Sequence, residues 1–327
     1  MSGEVRIAIV GCGRAAERLH LPALARTPGA RLAAVVDPRP ERRALVAPAG
    51  GECRAFGSLD AMLAAGAADA VVVATPPDAH VESVRAALEA GLPALVEKPL
   101  APTGAEAAAL AALAAARNVP LAVGFNRRHW QPAERLRTVL AAMASAPAAA
   151  RLVFRAEPAR WDAVSGPGEL LGDLASHQLD LLRFLFRREI TAIRARPDGP
   201  DGFLLRVRLG HEVRAECRVA RGATTEETMW ISRSGIVWRL AAGSERIGPA
   251  GGSLRRALDA GDRLARRVRR RRSAMRRSYE RQLEAFVAVA RRLDQPTAGA
   301  ADGVAVARAL DAARASLAAG GAEVVLG

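Results

Sequence analysis

The chain has 327 residues, half of them apolar and a quarter charged, with both kinds spread along its length. That composition excludes a disordered chain or a small staple-dependent scaffold and points to one large or two medium domains with sizeable cores. The net charge of +14 raises the question of nucleic acid or anionic membranes, yet Lys98 is the only lysine among 48 basic residues, so the excess reads as an arginine-biased composition.

Through residue 124, short β-branched runs alternate with Ala-rich helical stretches, the pattern of βαβ units and a parallel sheet. Val5–Val10, Leu32–Val36, Ala70–Ala74, Ala94–Val96 and Leu121–Val123 read as strands, and Glu82–Ala90 and Gly104–Arg117 as helices. A six-stranded, doubly wound sheet fits. Beyond residue 124 the pattern changes: Leu152–Phe154, Phe203–Leu209, Glu212–Val219, Met229–Arg233 and Ile236–Leu240 alternate apolar and polar residues, as one-sided antiparallel strands do. Ser234-Gly235 reads as a hairpin turn, and helices are expected around Tyr279–Leu293 and Asp302–Ala318. The expected organisation is a Rossmann domain over residues 1–124, then an α+β domain with an open, mostly antiparallel sheet over residues 125–327.

No stretch approaches the roughly 18 to 20 apolar residues of a membrane span. The segment Met1–Glu4 carries no basic region of the signal-peptide kind, so a cytoplasmic protein is expected. Cys12, Cys53 and Cys217 are odd in number and far apart, which indicates neither a disulfide framework nor a metal site.

Gly11-Cys12-Gly13-Arg14-Ala15-Ala16 follows the first strand and opens a helix. In such a G-x-G-x-x-A loop the first glycine permits the tight turn, the second lets backbone approach a pyrophosphate, and the small third residue allows close helix packing. The pyrophosphate is expected at the helix N-terminus. Asp37 ends the second strand, where an acid binds the adenosine ribose hydroxyls; it favours NAD, while Arg39 leaves NADP open.

Glu97-Lys98-Pro99 follows the strand Ala94–Val96 and so stands at the carboxyl edge of the sheet, where ligands bind in open α/β folds. Lysine is a compact donor that can release its proton, whereas arginine cannot. A lone lysine there is read as present for its chemistry. Further on, Asp173, His177 and Asp180 fall at i, i+4 and i+7, on one face of an expected helix, and a carboxylate beside an imidazole handles protons.

Together these motifs resemble the Gfo/Idh/MocA family, the glucose-fructose oxidoreductase and inositol dehydrogenase group. The likeness runs through Gly11–Ala16, His20–Leu24, Ala74–His80, Glu97–Pro99, Gly124–Arg128, the Asp173/His177 element and Ser278–Phe286, in matching order. It implies Lys98, Asp173 and His177 as the catalytic group. Thr75, Pro76 and His80 match the nicotinamide side, with Glu97 and Lys98 beside it. Asn126, Arg127 and Arg128 match residues flanking the substrate pocket. Ala175 stands where the family more often has glycine, and the run Ser165–Gly172 departs from its glycine-rich pattern.

The implied activity is NAD- or NADP-dependent hydride transfer to or from a carbonyl or hydroxyl carbon of a sugar, polyol or related compound. Lys98 and His177 are alternatives for the proton-transfer role. The family resemblance also implies a homo-oligomer, dimer or tetramer. Two other readings stand beside this one: reduction of a C=N or carbonyl group in a specialised metabolite, and a non-catalytic Rossmann shell acting through a basic surface. That surface is the segment 254–282, whose arginines between Arg255 and Arg277 read as basic amphipathic helices. They suit an anionic membrane; aromatic residues do not interleave with them, so no specific nucleic acid partner is expected.

Overall fold

The computed structural model describes residues 3–47, 52–143, 148–157, 167–241 and 274–327. Two compact units result: Met1–Asn126 with Tyr279–Ala307, and Arg127–Ser278 with Arg308–Gly327.

In the first unit, β1 (Val5–Val10), β2 (Ala30–Val36), β3 (Arg54–Phe56), β4 (Ala70–Val73), β5 (Ala94–Val96) and β6 (Leu121–Val123) form one sheet in the order β3-β2-β1-β4-β5-β6. Every pairing is parallel. Strands covered on both faces need continuous apolar runs, and Ala70-Val71-Val72-Val73 is buried throughout. The strand order reverses between β1 and β4, so their carboxyl ends flank the crevice where doubly wound folds bind ligands. Helices α1 (Leu21–Leu24), α2 (Pro40–Val46), α3 (Leu59–Ala64), α4 (His80–Glu89) and α5 (Gly104–Arg117) make the connections. A reciprocal Thr103/Glu106 capping box starts α5, and left-handed Asn118 ends it.

The expected single boundary after residue 124 differs from this division. Tyr279, Leu283, Phe286 and Val287 recur at helical spacing in the later helix Ala274–Ala290 and join Ile7, Ile9, Val72 and Leu95 in one buried cluster. The chain therefore returns to its first sheet after leaving it.

The second unit contains α6 (Gln131–Ala141), α7 (Pro167–Phe186) and the strands β7 (Ala148–Ala156), β8 (Ile190–Pro197), β9 (Gly202–Leu209), β10 (Val213–Arg221), β11 (Glu226–Arg233), β12 (Ile236–Ala241) and β13 (Val324–Val325). With the late helix Ala274–Ala290 numbered α8 and Ala300–Ala318 numbered α9, the described helices are complete. The sheet order is β12-β11-β7-β10-β9-β8-β13; β7 and β10 pair in parallel and the other neighbours are antiparallel. Ser234 and Gly235 turn the β11–β12 hairpin with φ of 51° and 75°, the double positive-φ turn that suits the twist of paired strands. Leu171, Leu174, Leu181, Leu182 and Leu185 form the buried side of α7. Within the basic segment 254–282, residues up to 273 lie outside the described residues.

Candidate functional site

The glycine loop leaves β1 and enters a helical stretch whose residues Ala16–His20 form a π-turn before α1. Gly11 has φ of 89°, and a Cβ there would stand 2.7 Å from the backbone nitrogen of Thr75, so no side chain fits. Gly13 is the opposite case: a Cβ would meet nothing within 4 Å. Its bare backbone faces open space at the start of a helix, the arrangement that receives a pyrophosphate. Asp37 is buried just after β2; its Oδ2 accepts the Cys12 N–H at 3.0 Å, and its Oδ1 accepts from the Arg39 N–H at 3.0 Å and from Arg39 Nε at 3.3 Å. Burial pushes this carboxyl up, but those donors outweigh it and hold it below the ordinary carboxylate value. Burial and then the Asp37 charge push the Cys12 thiol up to about 12, so it stays a protonated, inert group.

Thr75 and Pro76 follow β4, and the Thr75 Oγ1 is buried without a hydrogen-bond partner among the described residues. A polar atom in that condition beside the glycine loop fits the edge of a bound nicotinamide ring or ribose. The residues present therefore suit a dinucleotide. His80 differs from expectation: it is 1% exposed, with Nδ1 2.8 Å from the Pro99 carbonyl oxygen and Nε2 2.9 Å from the Thr75 carbonyl oxygen. The ring is spent on bracing the Thr75 loop against the turn after β5. Burial lowers its pKa, against the two carbonyls that favour the protonated form.

Glu97 is likewise a supporting group. Its Oε1 meets His20 Nε2 at 2.8 Å and its Oε2 accepts the Lys98 N–H at 3.2 Å. Burial pushes the Glu97 carboxyl up, yet His20 and then Lys98 prevail and hold it low. Gly124 packs against it, since a Cβ there would come within 3.1 Å of Glu97 Oε2. Tyr279 meets the His20 ring edge-on at 5.6 Å. Lys98 itself is half-buried, and its peptide bond to Pro99 is cis.

Asp173 and His177 belong to the second unit, Lys98 to the first. On α7, Asp173 is half-buried and His177 is 2% exposed. His177 Nε2 lies 2.8 Å from Arg127 Nη1, and the same guanidinium grips Glu227 of β11 with bonds of 2.9 and 3.0 Å. Arg128 donates to Asp180 at 2.6 to 3.1 Å and lies over the Phe184 ring at 5.5 Å. Both arginines expected beside the substrate are thus engaged inside this unit; Asn126, at the end of the first unit, is fully buried. A cavity of about 10 Å³ lined by Trp130, Gln178 and Glu227 has room for one water and not for a substrate. Sequence reasoning missed Glu227 and His20 as site residues. His20 carried a signal in the His20–Leu24 motif, while Glu227 reads as any strand acid.

The glycine cradle, the acid after β2 and the lysine after β5 define a dinucleotide-binding Rossmann protein. Residues 5–125 match the family model described as "Oxidoreductase family, NAD-binding Rossmann fold". Over that domain the chain is similar to the Gfo/Idh/MocA oxidoreductase family. A myo-inositol dehydrogenase of Streptomyces leeuwenhoekii is 35% identical over 192 residues, 57% of this chain and 57% of that protein. A D-apiose dehydrogenase of Paraburkholderia graminis is 36% identical over 188 residues, 55% of this chain and 49% of that protein. The chain spans about half the length of these sequence relatives. The crystal structure of scyllo-inositol dehydrogenase from Lactobacillus casei, with bound NAD(H) and scyllo-inositol, superposes with a TM-score of 0.79 at 19% identity, covering 98% of this chain and 99% of that one. The fold is shared across both units.

Proposed function

We propose that this protein is an NAD-dependent oxidoreductase acting on a hydroxyl or carbonyl carbon of a sugar, polyol or related compound. One observation carries the reading: the open Gly13 backbone, the charged Asp37 and the only lysine of the chain all stand at the carboxyl edge of one parallel sheet. The sequence relatives named inositol and apiose dehydrogenases support the substrate class.

Bound nicotinamide supplies or accepts the hydride. Gly11 and Gly13 shape its pyrophosphate loop with Arg14, Ala15 and Ala16 at the helix start, and Asp37 receives the adenosine ribose. Its charge and burial favour NAD over a 2′-phosphate, with Arg39 folded onto it. Thr75 and Pro76 border the nicotinamide. His80 and Glu97 act at one remove, by holding the Thr75 loop and the Lys98 backbone. Lys98 polarises the reacting oxygen and handles its proton; Asp173 and His177, which the family resemblance groups with it, stand on α7 of the second unit. Arg128 serves Asp180 and the fold of α7.

Among the described residues no helix is long and apolar enough to cross a membrane, and a cytoplasmic location is part of the same proposal. A homo-oligomer belongs to the same reading; half-buried Trp230 on β11 and exposed Arg151 beside it on β7 give the second sheet an amphipathic face for a partner copy. Titration of the purified chain with NADH and NADPH, followed by nicotinamide fluorescence, tests the proposal. Micromolar binding of NADH with weaker NADPH is the expected result, and binding of neither at millimolar concentration would overturn it.

A further inference from the structure

We propose that Arg127 and Glu227 are a positioning pair that fixes the tautomer of His177, with the proton on Nδ1 and the Nε2 lone pair occupied. A guanidinium has N–H donors only and no lone pair to accept with. At 2.8 Å from Arg127 Nη1, His177 Nε2 is therefore the acceptor. A neutral imidazole carries a single N–H, so here it sits on Nδ1. Taking up a proton at Nε2 would break the Arg127 bond and set two cations against each other.

The guanidinium is not free to swing aside. Its Nε and Nη2 fork onto the two oxygens of Glu227 at 2.9 and 3.0 Å, the Phe154 ring lies 5.5 Å below its centre, and Arg127 is 3% exposed. The Glu227 side chain is 11% exposed, and leaving it unpaired would be costly. Three parts of the second unit thus meet at one imidazole: the segment beginning at Arg127, strand β11 and helix α7. As far as catalysis is concerned, the inference rests on the function proposed above. There it bears on His177 alone, because an imidazole with Nε2 engaged presents Nδ1–H as a hydrogen-bond donor. The tautomer itself holds whatever the protein catalyses.

The test is the long-range ¹H–¹⁵N imidazole spectrum of the ¹⁵N-labelled full chain at pH 7.5, alone and with NADH. The chain has five histidines, and His177→Asn identifies the signals. The expected result is an unprotonated Nε2 and a protonated Nδ1, with the tautomer ratio moving toward Nε2–H by at least about tenfold in Arg127→Met, the loss of one charge-assisted bond. A protonated Nε2 in the wild type would overturn the proposal, as would an unchanged ratio in folded Arg127→Met. Should that variant not fold, the wild-type spectrum still decides, and Glu227→Gln, which keeps the shape, is expected to shift the ratio part of the way. NADH binding measured on the same sample separates failure of this inference from failure of the functional one.

Discussion

His20 and Glu97 lie 2.8 Å apart, Nε2 to Oε1, in the interior of the first unit, and the second Glu97 oxygen accepts the N–H of Lys98. A histidine from the helix after the glycine loop thereby sets the carboxylate that anchors the lysine turn, tying two motifs of the site through one buried hydrogen bond.

Removing either partner strands the other. His20→Ala is expected to destabilise the fold by about 1 to 3 kcal/mol, the cost of a buried carboxylate that loses one of its two hydrogen-bond donors, and His20→Gln by less. Because the folded-state pKa of Glu97 is depressed, its contribution is fully present above the unfolded value of about 4.3 and is lost as pH falls through the folded value. Urea unfolding at a series of acid pH values should show wild-type stability falling in that window and Glu97→Gln falling less steeply. Equal slopes would remove the pair from the account.

The two loop glycines are expected to fail differently. Gly11→Ala places a Cβ against Thr75 backbone at a positive φ and should cost at least about 1 to 3 kcal/mol in thermal or urea unfolding. Gly13→Ala, which meets nothing, should unfold within about 0.5 kcal/mol of wild type while NADH affinity drops at least about tenfold. Normal NADH affinity in Gly13→Ala would argue against a pyrophosphate at this loop.

Asp37→Asn keeps an acceptor for the Cys12 N–H but removes the charge. The expected outcome is a shift of the NADH-to-NADPH affinity ratio toward NADPH by about tenfold or more, as repulsion of a 2′-phosphate disappears and Arg39 is released from its partner. Parallel titrations with both dinucleotides measure it.

Lys98→Met is expected to leave NADH affinity nearly unchanged and lower turnover by at least about 10²-fold, the usual scale of a lost proton-transfer group. Fluorescence titration and steady-state rates on the same preparation separate binding from chemistry; full turnover in the variant would take Lys98 out of the reaction.

Most of the first sheet was legible because strands buried on both faces must be written as apolar runs, as in Val5–Val10 and Ala70–Val73. β3 was not, since Arg54-Ala55-Phe56 is short and largely exposed. β8 escaped because Ile190–Pro197 interrupts its apolar residues with two arginines and ends in proline. For the site, the G-x-G-x-x-A loop and the lone lysine could be read from local spacing. Arg127 and Arg128 were read as ligand-facing, because their partners Glu227 and Asp180 lie 100 and 52 residues away and an arginine's charge says nothing of which carboxylate neutralises it. His80 was legible only as part of its motif: the two carbonyls it meets belong to backbone, invisible to side-chain patterns.

The return of Tyr279–Ala307 to the first sheet makes that unit discontinuous, with a consequence for synthesis. At roughly 5 to 20 residues per second, the ribosome delivers Tyr279 about eight to thirty seconds after Asn126. Throughout that interval the nascent sheet lacks the helix that seals Ile7, Ile9 and Val72. The emerging amino-terminal half is a natural client for chaperones that shield apolar surface. A fragment ending at Asn126 would inherit that exposure permanently, so an isolated cofactor-binding domain of this protein has to carry the late helix with it, joined by a linker in place of the second unit.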